Sequence, residues 1–449
     1  MKIDRAHLAA RHSEELELFG RLHPRSAQLA SEARSGLLSG VPMPWMARWP
    51  GRFPIFFEEA HGARFTDVDG HEYVDLCLGD TGAMTGHALP GVAEAMHDRA
   101  RRGITTMLPS ADAIWVADEL SRRFGMAKWQ FAMTATDANR FVLRFARAIT
   151  GRPKIAVMDW CYHGTVDETL AVLDSGGNVV PRPGALGPAF DPASTTRVVP
   201  FNDADALDAA LAHGDVACVL MEPALTNIGI VLPEEGYLGR VREITRRHGV
   251  LLVIDETHTI CAGPGGCTRA WGLDPDMFVI GKPIAGGMPA AVYGMTVQVA
   301  EKLESLMSGH SVDVSGVGGT LTGNALAMAS IRATLSTNLR EEDFAVMIPL
   351  AARWTEGVRG AYESRGLQWH VQQLGARAEY WFSPVPRNGA EAAAASDADL
   401  DSYMHLFALN RGILLTPFHN MALFSPSHVE ADVDLHTRVF ADAIESLVG

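Results

Sequence analysis

Short hydrophobic runs alternate with helical stretches through the middle of the chain, from about Pro90 to Leu326. Strands that are apolar on both faces and alternate with helices are typical of a parallel sheet covered by helices on both sides. The runs are WQFAM (129–133), KIAVM (154–158), ACVLM (217–221), VLLVI (250–254) and MFVIG (277–281). The pattern therefore predicts a large α/β domain.

The N-terminal region has a different pattern. Between residues 3 and 38 apolar positions recur among charged ones, which predicts amphipathic helices lying on another surface. Residues 56–78 alternate and contain Asp69-Gly70, a dipeptide that favours a tight hairpin because both positions tolerate positive φ. We expect residues 1–80 to form helices and a β-meander that pack against the small domain and a dimer partner.

The C-terminal region predicts a smaller α+β domain. A long helical region, about 325–366, precedes two strand-like runs at 367–374 and 376–383. A Gly/Ala-rich loop is expected at 389–396, and a helix and a final strand–helix pair follow it. The predicted domains are 1–80, 81–330 for the large cofactor-binding domain and 331–449 for the small domain.

Charge and composition narrow the function classes. The 449 residues are 47% hydrophobic and 20% charged, close to the globular average. The net charge of −15 opposes binding to nucleic acid, and no apolar stretch reaches the ~18 residues of a membrane span. The charged N-terminus does not resemble a secretion signal, so we expect a cytoplasmic protein.

The cysteines indicate neither disulfides nor a metal centre. They are odd in number and lack the paired close spacing of zinc ligands, so we expect reduced, mostly buried thiols and no bound metal. They are Cys77, Cys161, Cys218, Cys261 and Cys267.

An acid and a lysine follow two consecutive predicted strands. Asp255 ends VLLVID, and Lys282 follows MFVIG, so both fall at the carboxyl edge of the sheet, where ligands bind. Gly281 and Gly286-Gly287 allow the backbone to approach a ligand closely, and a partly desolvated amine loses its proton more readily. Such an amine can form an imine, and such an acid can keep a pyridine nitrogen protonated.

The segments VIDETHT (253–259) and FVIGKPIAGGMPAAVYG (278–294) resemble class III (ω-type) pyridoxal-phosphate aminotransferases, a family of fold type I. The branch with glutamate-1-semialdehyde aminomutase and the β-amino-acid transaminases is the most similar. The resemblance implies pyridoxal 5'-phosphate as cofactor, with Lys282 as its Schiff-base residue and Asp255 at the pyridine nitrogen. It also implies a homodimer with a shared active site.

Other motifs extend the resemblance. FAMTATDAN (131–139) resembles the family's phosphate loop, so Thr134, Ala135 and Thr136 would bind phosphate at a helix N-terminus. Ala135 replaces the usual glycine, which requires that this position does not need positive φ. The motif CYHG (161–164) implies that Tyr162 stacks on the cofactor ring, and the loop at 318–329 implies that Thr320 reaches the partner's phosphate.

Three further residues are candidate cofactor neighbours with open roles. His163 is either a cofactor contact or a packed, hydrogen-bonded residue. Glu222 occupies a family position in the cofactor-side network and is expected to be structural. His258 stands where relatives often carry Gln or Met, and it either tunes the imine or hydrogen bonds near it.

The substrate pocket departs from the aminomutase pattern. Trp45 or Met46 aligns with the arginine that binds the substrate carboxylate in the aminomutases, and Met421 stands where the family has an acid. Arg48 or Arg52 could supply the charge from an adjacent position. The aromatic residues nearby either indicate a bulky or apolar substrate or pack the domain and dimer interfaces; they are Trp49, Phe53 and Trp160.

These departures favour a ping-pong transaminase that acts on an amine or a non-standard (β-) amino acid and a keto acid. The alternative on the same scaffold is an isomerase, either the 2,1-aminomutase or an amino-acid racemase. A cofactor-binding regulator is less favoured, because the chain carries no basic helix-turn-helix segment.

Overall fold

A computed structural model describes residues 3–308 and 316–448. Within these residues the chain forms fourteen α-helices: α1 (Arg5–Leu22), α2 (Pro24–Ala33), α3 (Pro90–Ala100), α4 (Asp112–Phe124), α5 (Ala135–Thr150), α6 (Ala204–Leu211), α7 (Tyr237–His248), α8 (Gly266–Ala270), α9 (Val297–Met307), α10 (Ala325–Thr337), α11 (Glu341–Glu363), α12 (Gly389–Ala394), α13 (Ala398–Leu409) and α14 (Glu430–Val448).

Sixteen β-strands occur in the same described ranges. They are β1 (Phe57–His61), β2 (Arg64–Asp67), β3 (Glu72–Asp75), β4 (Lys128–Ala132), β5 (Lys154–Met158), β6 (Ala171–Leu173), β7 (Val179–Pro181), β8 (Thr196–Val199), β9 (Val216–Met221), β10 (Leu251–Asp255), β11 (Met277–Ile280), β12 (Ala291–Met295), β13 (His370–Leu374), β14 (Arg377–Trp381), β15 (Ile413–Leu414) and β16 (Met421–Leu423).

The chain divides into two compact units. The first unit contains residues 1–89, 342–385 and 395–449, and the second contains residues 90–341 and 386–394. The predicted domain boundaries after residues 80 and 330 stay a prediction.

A seven-stranded sheet forms the centre of the second unit. Its order is β4-β12-β11-β10-β9-β5-β8, and only β12 runs antiparallel to its neighbours. All six residues of β9 are buried, as expected for a central strand with helices on both faces. The predicted α/β fold class is confirmed.

The first unit contains two small sheets whose strands are mostly antiparallel. One has the order β1-β2-β3-β15, with β15 parallel to β3, and the other has the order β13-β14-β16. The N-terminal β-meander, predicted from alternation, corresponds to β1–β3, and the two predicted strand-like runs after residue 366 correspond to β13 and β14. The predicted loop at 389–396 is wrong in part, since Gly389–Ala394 is helical. Its alanine-rich sequence has a high helix propensity, and Glu391 stabilises the first turn.

Polar groups are also buried within the first unit. His23, Asp67 and His71 lie close enough together to hold a metal ion. Hydrogen bonds already join them, because Tyr73 Oη lies 2.7 Å from His23 Nε2 and 2.9 Å from Asp67 Oδ2. All five cysteines of the chain are buried free thiols, which confirms their prediction. In the described part of the chain, no helix has the length and hydropathy needed to cross a membrane.

Candidate active site

The carboxyl ends of β10 and β11 bring Asp255 and Lys282 to the same sheet edge. Asp255 pairs with Val279 in the parallel register. Beyond the strands, the Glu256 amide donates to Val279 O at 2.8 Å, and the Gly281 amide donates to Thr257 Oγ1 at 3.3 Å. These bonds hold the two post-strand loops together.

Lys282 is the first residue of a 3-10 turn that continues to Ala285. Its φ of +48° lies in the left-handed region, which costs a non-glycine residue about 1–2 kcal/mol. Its Nζ lies 2.6 Å from His258 Nε2, and both side chains are half-buried. The sequence predicted both residues as site members, and the structure places their reactive nitrogens in contact.

Asp255 is a buried carboxylate in a dense hydrogen-bond network. It accepts from His163 Nδ1 at 2.9 Å, from Asn139 Nδ2 at 2.9 Å and from the Thr257 amide at 3.0 Å. Burial by itself would raise the pKa of Asp255, but the hydrogen bonds and charge of His163, with the bonds from Thr257 and Asn139, lower it to about 2. The site acid is therefore ionised at neutral pH.

His163 is the main partner of this carboxylate. Burial opposes its charged form, but Cys161 and Asp255 raise the pKa of His163 well above its ordinary range. Its Nε2 is buried and has no hydrogen-bond partner among the described residues. His163 is therefore a packed, hydrogen-bonded residue that holds the site acid ionised, and its contact with a cofactor stays a prediction.

The residues predicted to bind phosphate lie at the start of α5. Thr134 is the N-cap residue, and its Oγ1 accepts from the Asp137 amide at 3.1 Å. Thr136 Oγ1 accepts from the Thr165 amide at 3.1 Å. Ala135 is helical and has no positive φ, so the substitution for glycine is sterically compatible with this turn. The first-turn amides of a helix have no intrahelical acceptors and favour an anion.

Two glycines allow this helix start to approach the neighbouring loops. A Cβ at Gly281 would lie 3.0 Å from Ala135 Cβ, so the loop that carries Lys282 packs against the start of α5. A Cβ at Gly164 would lie 2.1 Å from Thr136 Oγ1, and Gly164 has a φ of +80°. Only glycine fits this point of contact without displacement.

The remaining candidates of the second unit lie at different depths. Tyr162 is half-buried beside His163, and Glu222 is buried after β9, where it accepts a hydrogen bond from the Thr226 hydroxyl. Thr320 is exposed, on a loop that lines a cleft with Thr105 and Thr106. Its predicted reach into a partner subunit stays a prediction.

Most of the predicted substrate-pocket residues belong to the first unit. Trp45, Met46 and Arg48 are exposed, and the Trp45 ring meets the Phe418 ring edge-on at 5.5 Å. Met421 is fully buried in β16. Trp49 is half-buried in the same unit, whereas Trp160 is half-buried in the second unit. Their role toward a substrate stays a prediction.

The sequence interpretation missed two residues that support the site acid. Asn139 lies three residues after Thr136 on the same helix face, so helical spacing could have identified it. The backbone of Thr257 joins the network only through the turn after β10, which has no sequence signal.

Comparisons with known proteins assign the family. The model of the family described as Aminotransferase class-III matches residues 45–437. A glutamate-1-semialdehyde 2,1-aminomutase from Sorangium cellulosum (strain So ce56) is 35% identical over 431 residues, 94% of this chain and 96% of that protein. The chain belongs to the class-III aminotransferase family.

Solved structures agree with this assignment. A glutamate-1-semialdehyde-aminomutase from Pseudomonas aeruginosa PAO1 is 50% identical, with a TM-score of 0.98 and all of both chains covered. A variant of that protein has been solved in complex with PMP. An omega-transaminase from Sphaerobacter thermophilus is 26% identical, with a TM-score of 0.84 and coverage of 95% of this chain and 98% of that chain. The fold-type I architecture is thereby confirmed.

The residues at the sheet edge fit pyridoxal phosphate. A carboxylate has about four acceptor positions, and the three donors to Asp255 leave room for a pyridinium N–H. The first turn of α5 offers amides to a phosphate, and Lys282 offers an amine at the same edge. This donor set supplies an acid for the ring nitrogen, an anion site and a nucleophile.

Proposed function

We propose that this chain is a pyridoxal-phosphate isomerase of the glutamate-1-semialdehyde 2,1-aminomutase type, which moves an amino group between neighbouring carbons of one substrate. The 50% identity to the Pseudomonas aeruginosa aminomutase over all of both chains carries this proposal. The similarity supports the isomerase better than the transaminase that the sequence departures favoured.

Pyridoxal 5'-phosphate is the cofactor. When it is bound, its protonated ring withdraws electrons from the substrate carbon next to the amino nitrogen. Asp255, ionised and buried, would accept a hydrogen bond from the ring N–H and so keep the ring nitrogen protonated. The amides of Ala135 and Thr136 would bind the phosphate, and Tyr162 would pack on the ring face.

Lys282 performs the proton transfers in this proposal. Its Nζ takes a proton from the substrate carbon and returns it to a neighbouring carbon, so one amine acts as base and then as acid. His258 Nε2, at 2.6 Å, accepts a hydrogen bond from Nζ and keeps the amine at the sheet edge. A homodimer with Thr320 contributed across the interface and a cytoplasmic location are parts of the same proposal.

The decisive experiment is product analysis without a keto acid. The isomerase converts glutamate 1-semialdehyde with no second substrate, whereas a transaminase requires pyruvate or 2-oxoglutarate to regenerate the cofactor. Conversion that depends on added keto acid would contradict the isomerase. Lys282→Ala should lose both conversion and the long-wavelength cofactor absorbance, and Lys128→Ala, at an exposed strand residue, should keep both.

A transaminase of amines or β-amino acids is the second candidate. Trp45 or Met46, in place of the carboxylate-binding arginine, favours it, as does the similarity to the Sphaerobacter thermophilus omega-transaminase. Decay of the cofactor absorbance on addition of aromatic amines, with recovery on addition of pyruvate, would support this second function.

A further inference from the structure

Arg182 is a half-buried arginine held beside the residue that precedes Tyr162. It follows β7, whose pairing with β6 forms a hairpin. Its backbone amide donates to Leu170 O at 2.9 Å, and its Nη1 donates to Cys161 O at 2.6 Å. Its guanidinium carbon lies 5.5 Å from the centre of the Trp160 ring. The side chain is therefore fixed at its base, at one nitrogen and over one ring face.

The Arg182 guanidinium keeps unused N–H donors and a positive charge that no nearby carboxylate among the described residues neutralises. An arginine side chain carries five N–H donors, and Arg182 uses one nitrogen in its bond to Cys161 O. Across residues 3–308 and 316–448, no carboxylate lies within 4.0 Å of this guanidinium. Burial lowers the pKa of Arg182, while Cys161, Tyr162, Glu222 and Asp159 act in the opposite direction at longer range. A partly desolvated cation that has no ion-pair partner gains free energy when it binds an anionic ligand.

Trp160, whose ring faces Arg182, has a strained backbone conformation. Trp160 has a φ of +62°, and a left-handed backbone is sterically unfavourable at a bulky residue. The strand end leaves no space for a side chain at Gly389, where a Cβ would lie 2.5 Å from Asp159 O and 2.7 Å from Trp160 Cβ. The close approach of Gly389 restricts the backbone of Trp160, and the Trp160 ring lies under the guanidinium of Arg182.

This pair is directly continuous with the candidate active site. Cys161, which anchors Arg182, is followed by Tyr162 and by His163, whose Nδ1 bonds the site acid at 2.9 Å. Trp160, Tyr162 and Arg182 are each half-exposed, so a ligand can reach them. A planar guanidinium held over an indole and bonded through one nitrogen keeps its remaining N–H groups available for the fork that matches a carboxylate.

We propose that Arg182, oriented by Trp160, binds the carboxylate of the substrate. The ligand class is an amino compound with a carboxylate remote from the reacting carbons. The inference rests on the proposed function in assuming that the substrate carries such a carboxylate. Arg182 is thus a specificity-determining residue, and Trp160 is a positioning residue.

Ligand binding to the protein without cofactor tests this assignment separately from catalysis. Glutarate serves as the carboxylate probe and its diamide, glutaramide, as the uncharged probe, with affinities measured by isothermal titration calorimetry. Arg182→Gln should weaken glutarate binding about 10- to 100-fold, the effect of losing a hydrogen bond to a charged group, and leave glutaramide unchanged. Arg182→Lys keeps the charge without the fork and should weaken glutarate binding less.

Arg140→Gln is the matched control, since Arg140 also donates to a backbone carbonyl, Thr165 O, at 2.8 Å. It should bind glutarate like the wild type. Equal glutarate affinity in wild type and Arg182→Gln would overturn the proposal, as would an equal loss of glutarate and glutaramide binding. Arg182-dependent glutarate binding in a protein without isomerase activity would retain the carboxylate site and reject the isomerase.

Discussion

The pairing of His163 with Asp255 predicts a stability effect that changes with pH. We consider His163→Gln in the protein without cofactor. Glutamine can still donate one hydrogen bond to the buried carboxylate, but it carries no positive charge. The variant therefore isolates the charge of His163, whose Nδ1 lies 2.9 Å from Asp255 Oδ2.

The structure sets the size and the pH range of this effect. The pKa of Asp255 falls from 3.8 to about 2 on folding, which corresponds to about 2 kcal/mol of stability. Since the folded value is the lower one, this contribution is present above pH 3.8 and lost as the pH falls through about 2. The pKa of His163 is raised above 6.5, so its contribution is complete below pH 6.5 and lost as the pH rises through the folded value.

Urea unfolding at a series of pH values measures this difference. We expect His163→Gln to be less stable than the wild type by about 1–2 kcal/mol, with a plateau between about pH 4 and 6.5 and a smaller difference below pH 3.8.

His436→Gln is a control with a different pH dependence. His436 is fully buried, and burial lowers its pKa to about 3, so its contribution is lost as the pH falls from 6.5 toward 3. The difference between wild type and this control should therefore change across the range in which the His163→Gln difference is flat. A His163→Gln difference that does not shrink below pH 3.8 would refute the charge pairing.

Three further predictions concern the site and its support. Gly164→Ala places a Cβ 2.1 Å from Thr136 Oγ1 and should weaken cofactor binding, measured by absorbance titration. The control Gly151→Ala also lies at positive φ, but its Cβ would meet no atom within 4 Å, so it should lose only about 1–2 kcal/mol of stability. Equal cofactor affinities of the two variants would contradict the role of the α5 start. His258→Leu removes the hydrogen-bond acceptor of Lys282 Nζ and should slow the single-turnover decay of the cofactor absorbance about tenfold. His258→Gln should recover part of this rate. An unchanged rate in His258→Leu would exclude His258 from the proton transfers. Glu256→Ala leaves the buried hydroxyl of Thr268 and the amides of Cys267 and Thr268 without their acceptor, so it should lower the unfolding free energy by about 3 kcal/mol or more. The exposed control Glu243→Ala should change the unfolding free energy by less than about 0.5 kcal/mol. Similar losses in both variants would refute the anchoring role of Glu256.

The sequence alone predicted five of the seven strands of the central sheet and placed Asp255 and Lys282 at its carboxyl edge. Alternating apolar and polar residues, and runs that are apolar on both faces, identify strands because successive side chains point to opposite faces of the sheet. Asp255 and Lys282 follow consecutive strands, and parallel strands end at one edge, so their proximity follows from chain order. Strands β8 and β12 were not among the predicted runs, although β12 is fully buried.

Only the tertiary structure decided which groups touch. The contact between His258 and Lys282, and that between His163 and Asp255, depends on turn geometry beyond the strand ends. Arg182 reaches Cys161 across a sequence separation of 21, and the left-handed backbone of Trp160 is incompatible with its own local preference. Local sequence sets the propensity of each segment, whereas such contacts are set by loop closure and packing that involve the whole fold.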